Sequence, residues 1–274
     1  MTKKTTAAAI IALGTLAGTA QAQQLGLSLS DNIGNMLPGL EFRDGDVVVT
    51  DTAGSSGMLA FNEDAFGGTN VDIDAFHSFA DGTYLLSTIF NNRTIGGITV
   101  SDGDLFRYDP ATDTATIFEI TEAALADDID AASVLADGNI VFSTGNATNT
   151  IGGTAVADGD ILLWNTPTGA VSVLHTEADI FDDGDAELSA IHAFGDGTYL
   201  ISAFGDESIS GTVYENGDLV LWDSASDTAS LFFDEDNFPG SNGYNINAAS
   251  IFIPAPASVA LLGLSGAFAA RRRR

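Results

Sequence analysis

Three stretches of this chain read almost as copies of one another: DIDAFHSFADGTYLLST (Asp72–Thr88), DIDAASVLADGNIVFST (Asp128–Thr144) and ELSAIHAFGDGTYLISA (Glu187–Ala203). A fourth, shortened copy, NINAASIF, closes the series at Asn245–Phe252. With Ile73, Ile129, Leu188 and Ile246 taken as equivalent, the spacings are 56, 59 and 58 residues. A fixed period of that size marks a repeat architecture. A second signature follows in each unit: SDGDLFRYD at Ser101, ADGDILLWN at Ala157 and ENGDLVLWD at Glu215. It also occurs early, as RDGDVVVTD at Arg43. The chain therefore enters its first repeat without the opening segment, and residues 245–252 supply that segment from the far end.

Each unit reads as four short strands. In the second they cover Ile129–Leu135, Asn139–Ser143, Asp160–Asn165 and Ala170–Leu174, rich in Val, Ile, Leu, Phe and Trp. Asp137-Gly138 and Asp158-Gly159 supply tight-turn chemistry between them. Four-stranded units closed into a circle by a shared strand predict an all-β, four-bladed propeller-like ring. A β-sandwich or an open stack of sheets would use the same strands but leave the terminal fragments unexplained. Phe106, Tyr108, Trp164 and Trp222 fall in the third strands and are expected between blades. The segments 91–100, 145–156 and 205–214 are read as long loops where a partner would be recognised; Asn91, Asn146 and Asn149 lie there.

Both ends differ from the body. Lys3 and Lys4 precede an apolar run from Ala7 to Gly18 and then Ala20-Gln21-Ala22. A basic start, an apolar centre and a small-x-small site describe a secretory signal peptide over residues 1–22, cleaved to leave Gln23. The other end reads IPAPASVALLGLSGAFAARRRR, Ile253–Arg274. Its apolar run, Val259–Ala270, falls short of the roughly 20 residues that cross a bilayer. Arg271, Arg272, Arg273 and Arg274 resist translocation, which implies transient membrane retention during export.

This tail resembles the PEP-CTERM sorting segment of exported bacterial proteins: a proline-rich signature (Pro254, Ala255, Pro256), an apolar helix and a basic cluster, in that order. Ala255 stands where that family usually has glutamate. The resemblance covers only the tail. It implies an exosortase-type membrane protease as partner and delivery to the cell surface or extracellular matrix, with 254–274 a sorting tail and 23–253 the propeller body.

With both ends set aside, only Arg43, Arg93 and Arg107 remain against 38 acidic residues, so three minus 38 leaves the body at −35. That field repels phosphate backbones and excludes nucleic acid as a partner. Cations, an extracellular polysaccharide or a surface protein suit it. There is no cysteine, which excludes disulfides, thiol nucleophiles and metal–thiolate sites.

Several positions repeat around the ring. Asp46, Asp104, Asp160 and Asp218 open the third strands, preceded by Asp44, Asp102, Asp158 and Asn216. Such turns either hold Ca2+, which takes six to eight oxygens, or do turn chemistry. Asp74, Asp130, Ser189 and Asn247 sit on the first strands; they either face a central channel as a metal or polar-ligand ring, or cap the strand starts and bond neighbouring backbone. Three residues on lie His77, Ser133, His192 and Ser250, which are either metal ligands or packed polar groups. Asp179, Asp182, Asp183 and Asp185 form an acidic cluster, either a solvated inter-blade loop or a cation-binding one. No nucleophile elbow, phosphate loop or zinc-protease motif is present. The reading is a non-catalytic binding or structural propeller; the alternative is a polysaccharide hydrolase or lyase using paired carboxylates, with or without calcium.

Overall fold

The computed structural model describes residues 24–30, 35–37, 40–67, 71–146, 148–184, 186–238 and 244–253. The signal segment with Ala20, Ala22 and Gln23, the tail with Pro254, Ala255, Pro256 and Arg271–Arg274, and Asp185 lie outside them.

The described residues form four antiparallel four-stranded sheets set around one axis, the arrangement of a four-bladed propeller. Blade II runs outward from Ile73–Ser78 through Tyr84–Thr88 and Phe106–Asp109 to Thr114–Ile117. Blade III uses Ile129–Val134, Ile140–Thr144, Ile161–Asn165 and Ala170–His175; blade IV uses Leu188–Ala193, Thr198–Ala203, Leu219–Asp223 and Thr228–Phe233. Blade I is the composite. Its inner strand is Ile246–Ile251, paired with Gln24–Leu29, then Val47–Asp51 and Gly57–Phe61. Leu25 lies opposite Ile251 in that ladder, so the two ends of the body are hydrogen-bonded into one sheet.

The core lies between the blades as four apolar wedges. One joins Trp222, Tyr199 and Ile201 of blade IV to Val141 and Ala131 of blade III. The others join I to II, IV to I and II to III. Phe106, Tyr108, Trp164 and Trp222 are all buried in these wedges. Tyr108 meets Phe61 of blade I edge to face at 5.5 Å between ring centres, a favoured aromatic geometry. Near the axis the inner strands carry small buried residues, Ala75, Ala131, Ala190 and Ala248 among them. Diagonally opposed inner strands consequently come close to one another across the axis.

The segments read as loops are more ordered than their composition suggests. Each folds as a short two-stranded ribbon: Arg93–Ile95 with Ile98–Val100, Asn149–Ile151 with Thr154–Val156, and Glu207–Ile209 with Thr212–Tyr214. The cause is the pair at each tip. Gly96-Gly97 has φ of 54° and 87°, and Ser210-Gly211 has 52° and 77°, the consecutive left-handed values of a two-residue hairpin turn.

The repeated Asp-Gly-Asp signature is the joint between blades. An added Cβ at Gly45, Gly103, Gly159 or Gly217 would sit 1.6, 2.2, 2.1 or 1.8 Å from a backbone carbonyl oxygen, of Val71, Asp127, Ala186 and Tyr244 respectively. Each acceptor lies just ahead of the next blade's inner strand. Glycine is required there because the next blade's backbone occupies the space a side chain would take. The aspartate that follows fastens the same joint. Asp46 accepts from Arg43 N at 3.0 Å and Glu63 N at 2.8 Å; Asp104 accepts from Ser101 N and Glu122 N, both at 2.9 Å. Asp160 accepts from Ala157 N and Glu177 N, also at 2.9 Å, and Asp218 accepts from Glu215 N and Glu235 N. Glu63, Glu122, Glu177 and Glu235 each open a single helical turn after the outer strand, so one carboxylate ties the third strand to the passage into the next blade.

Gly103→Ala should therefore cost about 1–3 kcal/mol, an overpacking penalty, and lower Tm by roughly 2–4 °C per kcal/mol in a body of this size. Gly152→Ala, whose Cβ would meet nothing within 4 Å, incurs only the left-handed backbone penalty. Paired thermal melts should rank Gly103→Ala as the more damaging.

Candidate ligand site at the axial mouth

Strands alternate in direction within each blade. The start of every inner strand, the ribbons and the helical turns therefore share one face of the disc. Asp74, Asp130, Ser189 and Asn247 all reach that face, and all four line one cavity of about 320 Å³, together with Ser30, Asp72, Ile89, Glu187 and Phe204. The ring expected from the repeat is brought together.

A bulge aims these four side chains. In blades II, III and IV the ladder slips at the ring residue: Ile73 pairs with Thr88 and Ala75 with Ser87, leaving Asp74 unpaired. Asp130 and Ser189 are skipped in the same way. In blade I, Ser28 faces Ala248 and Leu29 faces Ile246, so Asn247 is skipped. A bulged residue leaves the pleat alternation and its side chain is re-aimed, here toward the axis.

The cavity contains more acid than the ring alone. The position two residues before each ring residue holds Asp72, Asp128, Glu187 and Asn245, and that second tier was not singled out in the sequence. Its signal was present as D-I-D, D-I-D, E-L-S and N-I-N. Asp74 is 4% exposed and its Oδ2 has no hydrogen-bond partner; Ser189 is 1% exposed and its Oγ likewise has none. Asp130 Oδ2 is also buried without a partner. Asn247 Oδ1 accepts from Asn245 Nδ2 at 3.1 Å.

Crowding of buried carboxyls holds protons in the cavity. Burial, then the neighbouring charges of Asp128, Asp72, Asp130 and Asp102, pushes Asp74 well above the usual carboxylate range. Burial and Asp102 push Asp128 up to about 7. Asp130 and Glu187 are hydrogen-bonded to each other and both are raised, chiefly by burial. Asp130 is the member that holds the proton and donates it, since the contact raises Asp130 and lowers Glu187.

The aspartates of the inter-blade joint are placed otherwise. Asp46, Asp104 and Asp160 each have both carboxylate oxygens engaged by backbone N–H groups. Asp44, Asp102 and Asp158 each accept from the N–H of the following glycine. Asn91 donates to Asp102 at 2.7 Å, and Asn146 and Asn149 both donate to Asp127. These groups perform turn chemistry. Among the described residues, no three His, Asp or Glu side chains are grouped so as to hold one metal ion. In the acidic loop, Asp179 closes a capping box with Thr176, and Asp182 accepts from Ser208 Oγ and Gly211 N.

His77 and His192 come from opposite blades and meet across the other mouth, with rings stacked at 6.0 Å beside a cavity of about 610 Å³. Their ring of positions stitches the blades together. His77 Nδ1 accepts from Val134 N at 3.4 Å, Ser133 Oγ accepts from Ala193 N at 3.1 Å, and His192 Nδ1 lies 3.3 Å from Ser250 Oγ. Ser78 Oγ closes the circle, donating to Ile253 O and accepting from Ile253 N. Burial lowers His77 to about 3 and His192 to about 4, so both rings are neutral. His175, at the end of an outer strand, packs edge-on against Tyr199 and Trp222.

No known family pattern matches the chain, and no curated protein matches it. Some solved structures align loosely with it. A protein of unknown function from Bacteroides caccae shares 11% identity at a TM-score of 0.42, over 84% of this chain and 98% of that one. YCF48 from Cyanidioschyzon merolae shares 12% at 0.33, over 73% of this chain and 59% of that one. The extracellular domain of a putative one-component system, BT4673 from B. thetaiotaomicron, also shares 12% at 0.33, over 84% of this chain and 36% of that one. The chain thus spans little more than half the length of YCF48. The propeller assignment rests on the chain's own hydrogen-bond ladders.

The two mouths titrate in opposite senses. The acidic groups bind protons more tightly folded than unfolded, so their contribution is intact below about pH 4 and is lost as pH rises through 7. The histidines bind protons less tightly folded, so their contribution is intact above about 6.5 and is lost toward pH 4. Between pH 6.5 and 8.5 only the acidic mouth changes. Asp128 alone should then remove about 0.8 kcal/mol, or roughly 2–3 °C of Tm, measured by calorimetry at constant ionic strength.

Changing one aspartate to asparagine should have opposite signs at two places. Asp74→Asn relieves a buried, repelled carboxyl and should raise Tm at pH 8.5. Asp104→Asn replaces an acceptor of two backbone N–H groups with an amide that accepts through one oxygen only, and should cost about 1–3 kcal/mol. Melts of the two variants at that pH check both signs.

Proposed function

We propose that this chain is an exported, cell-surface- or matrix-associated propeller that binds a ligand at its acidic axial mouth rather than transforming one. The observation that carries the binding reading is the convergence of four bulged positions on one cavity whose buried Asp74 Oδ2 and Ser189 Oγ have no partner within the protein. Leaving such groups unsatisfied is costly in a folded protein, and a bound cation offsets that cost.

Three features favour binding over hydrolysis. The cavity contains acids, two hydroxyls and an amide but no histidine, lysine or arginine. Asp130 and Glu187 contact each other through a shared proton, whereas glycosidase carboxyls stand about 5 Å or more apart to admit the sugar carbon or a water. The polar groups also recur from blade to blade instead of breaking the symmetry at one catalytic point.

Export rests on the two ends of the sequence. The signal segment directs secretion, the exosortase-type protease recognises the tail around Pro254–Pro256, and Arg271–Arg274 hold the chain at the inner membrane until cleavage. The mature protein is then residues 23 to the sorting site. A polysaccharide or a surface protein is the macromolecular setting in which the ribbons on the same face make contact.

Expression in a bacterial host carrying an exosortase-type protease tests this reading. Mass spectrometry of the surface fraction should find a chain starting at Gln23 and lacking Arg271–Arg274. Replacing those four arginines with alanine should abolish retention and tail removal. A full-length chain remaining in the cytoplasm would overturn the export reading.

A further inference from the structure

We infer that the ligand of the acidic mouth is a small organic cation with a primary ammonium head, seated on Asp74, Asp130 and Ser189 with its carbon body against Phe204 and Ile89. The inference rests on the reading of this mouth as a binding site and adds the chemical class of what it takes.

The free groups are all acceptors or can act as such. Asp74 Oδ2, Asp130 Oδ2 and Ser189 Oγ are buried, line or adjoin the same cavity, and have no hydrogen-bond partner. They sit on three successive inner strands, so they surround the axis from three sides. An ammonium group carries three N–H donors around one positive charge and satisfies three such acceptors together. Its charge also suits a cavity where burial, and then mutual repulsion, leave the carboxyls holding protons.

A bare metal ion fits less well. Calcium needs six to eight oxygens at 2.3–2.6 Å, and no three acidic or imidazole side chains of the described residues converge to that extent. The cavity also has an apolar edge that an ion would not use. Phe204 and Ile89 come from opposite blades and remain 41% and 37% exposed at the rim. Aromatic and aliphatic surface there covers a carbon chain or sugar ring, and an aromatic face also attracts a cation. At about 320 Å³ the space lies at the small end of the range for organic ligands.

The test is isothermal titration and thermal melting of the full chain at pH 7 and about 0.2 M salt, where diffuse attraction to the acidic surface is screened. The probes are n-butylammonium, its neutral counterpart n-butanol, and calcium. Butylammonium should bind with one-to-one stoichiometry and raise Tm, while n-butanol does neither. Asp74→Asn should weaken butylammonium by about tenfold or more, the loss of one charge-assisted hydrogen bond. Asp130→Asn provides the same reading if Asp74→Asn fails to fold. Phe204→Ala should weaken butylammonium more than methylammonium, since only the former reaches the rim. Glucosamine and free lysine as further arms distinguish an amino-sugar source of the ammonium from a lysine-like one. Calcium binding that Asp74→Asn abolishes, without butylammonium binding, would keep the mouth and overturn the ligand class. Failure of every probe to bind would overturn the mouth itself as a binding site.

Discussion

The fold depends on a single backbone contact made four times. At Gly45, Gly103, Gly159 and Gly217 the start of a third strand presses against the carbonyl that introduces the next blade, and the following aspartate clamps the helical turn that leads there. Each joint is polar at the rim and continues inward as an apolar wedge. Close packing of the interior makes such contacts intolerant of even one added carbon. The joint sets neighbouring blades against each other, four such joints close the circle, and only then do the inner strands bring their ends to the two mouths.

From that geometry the mouths acquire opposite characters. At one, the bulge in every inner strand frees a side chain from the ladder and turns it toward the axis, where no neighbouring backbone is left to bond it. At the other, the ladder is regular and the side chains of His77, Ser133, His192 and Ser250 lie within reach of the adjacent blade, whose groups they satisfy. Equivalent repeat positions thus have different consequences: a slip of one residue separates a group available to a ligand from a group used up in assembly. The tiers are also unequal around the circle. Blades II and III supply Asp72, Asp74, Asp128 and Asp130, whereas blade I supplies Asn245 and Asn247, so the negative field is offset to one side.

Much of this was legible in the sequence because repetition averages out local ambiguity. The expected strands of the second repeat agree with Ile129–Val134, Ile140–Thr144, Ile161–Asn165 and Ala170–His175 to within a residue or so. The closure by 245–252 followed from counting which segment was missing. What could not be read was contact across blades. Nothing local says that Gly103 needs to be glycine for the sake of Asp127, or that Asp104 spends both oxygens on backbone, so turn and calcium chemistry stayed open alternatives. The ribbons were missed because glycine, threonine and serine suggest irregular chain, while the Thr-Ile-Gly-Gly pattern at 94–97 and 150–153 carries a hairpin instruction. Bulges leave no compositional mark at all.

The composite first blade has a kinetic meaning. Its inner strand, Ile246–Ile251, is the last part of the body to be synthesised, and its partner Gln24–Leu29 is the first. Until the final strand arrives, blade I has no inner strand and the wedges on both of its sides lack a wall. Contacts of such sequence separation are slow to form because loop closure precedes any gain. The ring is therefore a latch that only a whole chain can close, and a chain threaded across a membrane from its N-terminus would reach the far side before it could lock.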